Sequence, residues 1–390
     1  MQVVTMVLVF LLAVVISGIV VRLLPLKLPL PLLQIAIGFA LSDLFGFDVG
    51  FDPHLFLLLF IPPLLFLDGW RIPKGAFFRN WKPILALAIG LVVFTVVGLG
   101  LFIHWVLPAV PLAVAFALAA ILSPTDPVAV SAMTANSPLP SRLMHILEGE
   151  SLLNDATGLV CFSFAVAAAM TGVFSLGSAA ASFAMVAGGG LLIGLLVTWA
   201  IGTLNTILIR FAGEEPSIQI LISLLIPFAA YLAAEHVHAS GILAAAVAGI
   251  AMHYTELSGR VQAATRMQRS AVWDTVQTAL NGIIFVLLGD QLPRLLRDLE
   301  AVAASTGVGS PWHLLAYIVL ITIALGALRF TWVWFTARSA TRSANRRGQA
   351  MAMPDIRILA VTATAGVRGA ITLAGILTLP LMMPDGTPFP

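Results

Sequence analysis

Residues 111–134 read PLAVAFALAAILSPTDPVAVSAMT, and this stretch decides what kind of fold the chain adopts. It has the length of a helix through ~30 Å of hydrocarbon, which takes about 20 mostly apolar residues. Yet Ser123-Pro124-Thr125-Asp126-Pro127 stands in its middle. Two prolines three apart remove ladder donors and break the helix there, a defect tolerated at membrane depth only where the freed groups line a cavity or a site. Thr125 and the neighbouring carbonyls are thereby exposed as oxygen ligands. Asp126 lies fourteen residues beyond Leu112, ~21 Å along the helix at ~1.5 Å per residue, close to the bilayer midplane. A plain proline kink would require no carboxylate at that depth.

The rest of the chain supplies the same solvent. With 60% hydrophobic and 10% charged side chains over 390 residues, most of the surface must face lipid, because a soluble surface needs far more charge. The reading is an all-α polytopic membrane protein. Twelve apolar segments fit the helix ruler, near 3–24, 28–42, 54–69, 83–107, 111–134, 142–171, 177–209, 216–235, 239–254, 275–292, 311–337 and 356–379. The N-terminus lacks a basic region and a small-residue cleavage site, so the first segment reads as a retained span. A net charge of +2 gives no field suited to nucleic acid. Cys161 stands alone, which excludes an intrachain disulfide and a cysteine-based zinc cluster.

Lys and Arg concentrate in cytoplasmic loops, and of the twenty here all but four fall in odd-numbered loops. The exceptions are Arg294 and Arg297 in an even loop and Arg329 and Arg368 within spans. That asymmetry places the N-terminus outside the cytoplasm, in a multi-pass protein of the cell membrane. The segment Leu257–Trp273, with Arg260, Arg266 and Arg269, reads either as an amphipathic helix on the cytoplasmic interface or as a solvated linker.

Ionisable groups deep in a span are costly and therefore functional candidates. Asp155 lies thirteen residues from Arg142, and Arg368 twelve from Ile356, both near mid-bilayer. In EGESLLND, residues 148–155, Ser151 and Asp155 are four apart and share a helix face, so a hydroxyl and a carboxylate can meet one ion. Glu150 is rotated roughly 140° from Asp155 and needs another partner. Arg368, in Gly366-Val367-Arg368-Gly369, is the available cation, and a buried pair keeps both ionised. Asp155 then must take up either a proton or a mobile cation, which is the chemistry of one-for-one exchange. Asp126 can ligate directly, act through water, or hold Asn154 by a hydrogen bond.

The strings SPTDPVAV, EGESLLNDATGLV, GIIFVLLGDQLP and GVRGAITLA, in that order, resemble the cation/proton antiporter superfamily, in its NhaP and sodium/proton exchanger branch. The resemblance covers essentially the whole chain. It implies an inverted-repeat antiporter fold of thirteen spans with two broken, crossing helices, and a homodimer. Residues 1–390 then form one transmembrane domain, with core helices near 83–171 and 311–379 and dimer-side helices near 1–69 and 177–292. About twelve spans are present, and a thirteenth is expected beyond Pro390. Carried onto these residues, the resemblance makes Asp155 the cation and proton carrier, with Ser151 and the Thr125 backbone as ligands and Asp126 ligating through water. Asn154 shapes the site, and Glu150 with Arg368 forms the structural ion pair. Asn before Asp, at 154 and 155, implies electroneutral exchange of H⁺ for Na⁺, with Li⁺ or K⁺ as alternatives, and no cofactor.

Asp68 and Asp290 depart from the family pattern, as network partners for Arg329 or as interfacial charges. Glu235-His236-x-His238 reads as an interfacial polar cluster in preference to a metal site, since residues two apart on a helix diverge. His145 and Glu148 can tune proton access or simply be solvated. Gly188–Gly190 and Gly194 suit close helix packing. The rival reading is a sodium-coupled carrier of an organic solute on a similar fold. An intramembrane aspartyl protease would need Gly-x-Gly-Asp around Asp126 or Asp155, and neither has it.

Overall fold

The computed structural model of the chain describes residues 2–23, 28–45, 53–125, 141–172, 176–256, 262–305, 310–348, 353–364 and 372, and every regular element among them is helical. In chain order these are α1 (Gln2–Leu23), α2 (Leu30–Phe45), α3 (Pro53–Arg71) and the short α4 (Lys74–Arg79). Next come α5 (Trp81–Val106), α6 (Leu112–Leu122), α7 (Ser141–Thr171), α8 (Leu176–Ala212), α9 (Pro216–His236) and α10 (Gly241–Glu256). The chain continues through α11 (Ala263–Ser305), α12 (Pro311–Arg346) and α13 (Ile356–Thr364). Seven of the described helices are long and apolar enough to cross a membrane, and three shorter ones are apolar. Lipid explains why α1, α8 and α12 are apolar yet expose Leu, Ile and Trp side chains along their lengths.

Two compact units divide the chain. The first holds α1–α4, the start of α7 as far as Leu152, α8–α10 and α11 as far as Arg294. Its core is built where α3, α9, α10 and α11 meet, from Phe66, Leu67, Ile226, Ala230, Ala244, Ala248 and Trp273. Small residues let α3 and α10 touch backbone to backbone: a Cβ on Gly249 would lie 2.0 Å from the Phe66 carbonyl oxygen, and one on Gly69 2.2 Å from that of Ala246. Such contact replaces the hydrophobic drive that helices lack in lipid. Trp273 stacks on Phe66 at 5.3 Å between ring centroids and donates its indole N–H to Ser223 Oγ at 3.1 Å.

Of the two readings of the stretch ending at Trp273, the linker is corrected from Ala263 onward: α11 already runs there, with Thr265, Arg269 and Trp273 buried on one side and Arg266 and Met267 exposed on the other. The physical cause is a cap brought from another loop. Glu214 accepts hydrogen bonds from the Gln262 amide (3.1 Å) and the Thr265 hydroxyl (2.6 Å), satisfying donors that the first turn cannot satisfy itself. Arg71 at the end of α3 pairs with Asp274 and donates to Gln277 Oε1 at 2.7 Å.

The second unit holds α5 from Lys82, α6, α7 from Leu153, the end of α11, α12 and α13. Leu99 and Ile103 of α5 pack against Ala115 and Ala119 of α6, and Ala117, Ala120 and Ile121 of α6 pack against Phe162 and Ala165 of α7. Within α5, Ala86–Leu91 widens to a π-helix. A widened turn releases a carbonyl from the regular ladder, and the Ala86 carbonyl accepts from the Trp332 indole of α12 at 3.1 Å. Ser310 and Pro311 open α12, the serine hydroxyl accepting from the Trp312 amide.

Candidate functional site

The site grows from the end of α6. The helix stops at Leu122, Ser123 caps it with helical dihedrals, and Pro124 and Thr125 continue outside the helix, as a proline after the last turn dictates. The broken end is not exposed: Ser123 and Thr125 are both buried. What covers it within the same unit is α7. Gly158 faces the break so closely that a Cβ there would lie 2.5 Å from Pro124 Cγ and 3.1 Å from the Ala120 carbonyl oxygen. Glycine permits that approach, and one turn earlier on α7 Asn154 reaches across, its amide Nδ2 donating to Thr125 Oγ1 at 2.8 Å.

Asp155 follows Asn154 directly and is buried, 6% exposed, while Asn154 is 1% exposed. Ser151, one turn before Asp155, and Thr157 beyond it are buried too. A carboxylate, an amide and two hydroxyls thus stand buried on consecutive turns of α7, and the amide is the one that meets the end of α6. Asn154 Oδ1 has no hydrogen-bond partner among the described residues, an acceptor left available in a region where an unmet polar atom costs ~1–3 kcal/mol. Carboxylate, amide and hydroxyl oxygens are hard donors, suited to alkali cations and protons rather than to soft metals.

Of the residues singled out in the sequence, Thr125 and Asn154 meet directly, and Ser151, Asp155 and Glu150 (1% exposed) are buried along α7. Asp126 and Arg368 lie outside the described residues, as do most of the last expected span and the Glu150–Arg368 pairing. Arg329 is buried in α12 and donates from Nε to the Thr362 carbonyl of α13 at 3.2 Å. Asp290 is buried in α11 and accepts from Gln291 at 3.1 Å. Among the described residues no three His, Cys, Asp or Glu converge as a metal site would require. His236 and His238 are exposed, and Glu235 instead accepts from the Gly241 amide at the start of α10.

Gly158 and the Trp332–Ala86 bond escaped the sequence reading. A glycine one turn after Asn154 inside ATGLV hints at close packing, whereas nothing local marks Ala86 as the acceptor of an indole 246 residues away.

Comparison with known proteins is consistent along the whole chain. The family described as sodium/hydrogen exchanger, transmembrane, matches residues 9–386. A sodium, potassium, lithium and rubidium/H⁺ antiporter of Bacillus subtilis is 42% identical over 393 residues, covering the whole chain and 58% of that protein. An uncharacterized Na⁺/H⁺ exchanger of Escherichia coli, YjcE, is 45% identical, again over the whole chain and 71% of its own length. The chain therefore spans about six to seven tenths of these relatives. The sodium proton antiporter MjNhaP1 of Methanocaldococcus jannaschii shares the fold, with a TM-score of 0.60, 18% identity, and coverage of 97% of this chain and 96% of that one. An apolar helix that ends just before Pro124 packs against a helix carrying buried Asn-Asp, and the family match over residues 9–386, together with relatives 42–45% identical over the whole chain, decides its membership: the chain belongs to the sodium/hydrogen exchanger family of NhaP-like transmembrane cation/proton antiporters.

Proposed function

We propose that this chain exchanges a monovalent cation for H⁺ across the cell membrane, one for one and without net charge movement. Na⁺ is the principal cation, with Li⁺ or K⁺ as alternatives. The observation that carries the reading is the buried carboxylate of Asp155, set beside an asparagine tethered to the broken end of α6. A carboxylate at that depth is stable when protonated or when it holds a cation, so the two ligands exclude each other and each carries the site across in turn. Ser151 and the Thr125 backbone complete the cation's oxygen shell, Asp126 acts through water, and Asn154 fixes the spacing. Glu150 and Arg368 form the structural ion pair.

Core helices near 83–171 and 311–379 carry the site and move against dimer-side helices near 1–69 and 177–292 in a homodimer, giving alternating access. The separation into two compact units supports this reading. The chain works with no cofactor and catalyses no covalent reaction. Its N-terminus lies outside the cytoplasm, as the Lys and Arg asymmetry implies. The relatives compared here are named for cation/proton exchange, which favours it over a sodium-coupled carrier of organic solutes.

Proteoliposomes loaded with a pH-sensitive dye test the function. Addition of Na⁺, Li⁺ or K⁺ should collapse an imposed pH gradient with the parent chain and leave it intact with Asp155→Asn. Exchange retained by that variant would remove Asp155 from the mechanism.

A further inference from the structure

In the first unit, a cavity of about 400 Å³ opens between the end of α4 and the start of α7, lined by Arg79, Asn80, Ser141, Arg142 and His145. We propose that it binds a phosphate-bearing anion.

The chemistry of the wall is one-sided. Two guanidinium groups share a single small cavity, and among the described residues neither is paired with a carboxylate. Glu148, the first acidic residue along α7, interacts electrostatically with His145 but is not part of the lining. Arg142 is also held in place: its Nε donates to Asn80 Oδ1 at 3.2 Å, while Asn80 Nδ2 donates to the Ala76 carbonyl at 2.8 Å. The asparagine thus ties a guanidinium of α7 to the backbone of α4. Two like charges lining one cavity repel each other, and an anion between them turns that repulsion into attraction.

The number of donors selects the anion. Each guanidinium presents a planar fork of N–H groups, the Ser141 hydroxyl adds one donor, and the His145 ring adds an N–H in either protonation state. A carboxylate has two oxygens to meet them, whereas a phosphate carries four, all unesterified in the inorganic ion; in a phospholipid diester two are unesterified and two are bridging, and a glycerol headgroup adds hydroxyl oxygens. The volume also exceeds what a bare inorganic ion fills and lies in the range of small-molecule sites. Flanking the arginine, Phe78 and Trp81 are 52% and 50% exposed, and exposed aromatics beside a basic cluster mark the headgroup level of a bilayer. The source this favours is the headgroup of an anionic phospholipid; soluble phosphate has the same chemistry.

The full chain, purified in detergent, distinguishes the two. Thermal melting is measured in micelles doped with phosphatidylglycerol or with phosphatidylcholine, and separately with inorganic phosphate against chloride at equal ionic strength. A phosphatidylglycerol-specific rise of at least about 2 °C in the parent, lost in Arg79→Gln/Arg142→Gln, supports a lipid site. An equal rise with inorganic phosphate, lost in the same variant, supports the site with a soluble ligand. A parent that responds to neither anion overturns the proposal, as does a double variant stabilised as much as the parent. If the double variant does not fold, Arg142→Lys decides: it keeps the charge but not the fork, so a shift as large as the parent's would overturn the proposal and a smaller one supports it.

Discussion

Gly158→Ala tests how the candidate site is assembled. The added methyl would sit 2.5 Å from Pro124 Cγ, 3.0 Å from Pro124 Cδ and 3.1 Å from the Ala120 oxygen. Carbon atoms pack at about 3.5–4.0 Å, so α7 and the broken end of α6 must separate by roughly 1 Å, against a proline ring that has no rotamer to yield. Overpacking of this kind costs about 1–3 kcal/mol, and replacing a helical glycine by alanine returns about 1 kcal/mol. The net loss of stability is therefore small, about 0–2 kcal/mol. The site is affected directly. The Asn154–Thr125 bond is 2.8 Å long, and an extra ~1 Å puts it beyond hydrogen-bonding range. A bond worth about 1 kcal/mol corresponds to about fivefold in apparent cation affinity. Exchange by Gly158→Ala in proteoliposomes should therefore need about fivefold more Na⁺ for half-maximal rate, with a melting temperature within a few degrees of the parent. Parental affinity together with parental stability would refute the idea that Gly158 sets the spacing of the site.

Other consequences concern the scaffold. Arg329→Gln should cost about 2 kcal/mol, because a buried charge-assisted bond to the Thr362 carbonyl is lost; an unchanged melting temperature would argue against that bond. Trp273→Ala should cost about 3–5 kcal/mol and Trp273→Phe clearly less, since the phenyl ring keeps the Phe66 stack and loses only the bond to Ser223; equal losses would contradict this. Glu214→Ala should uncap α11 at about 1 kcal/mol, seen as faster amide hydrogen exchange near Gln262 and Thr265, and unchanged exchange there would rule out the cap.

How much the sequence disclosed depends on how local the physics is. The break after Leu122 was legible because proline acts on its own backbone, and the helices follow from apolar runs measured against a bilayer. Burial of Ser151, Asn154 and Asp155 followed from their depth in a span. The bond from Asn154 to the Thr125 hydroxyl was not legible, being a pairing across 29 residues fixed by how α7 packs on α6; Asp126, the candidate partner in the sequence, lies outside the described residues. A helix before Trp273 was one of two readings, but its continuity with the span that follows was hidden for a similar reason. Arginines at 266 and 269 suggest a wet surface, but Arg269 is buried, and the cap that begins the helix comes from Glu214, 48 residues before Gln262.

The central claim is that a cation and a proton contend for the carboxylate of Asp155. Its most direct test is the Na⁺ dependence of exchange measured at a series of pH values with the pH held equal on both sides of the membrane. Competition predicts that the half-maximal Na⁺ concentration climbs as pH falls, by up to about tenfold per unit, while the maximal rate at saturating Na⁺ stays nearly constant. A half-maximal concentration that does not move with pH, with the maximal rate falling instead, would mean that the two ions bind at separate places.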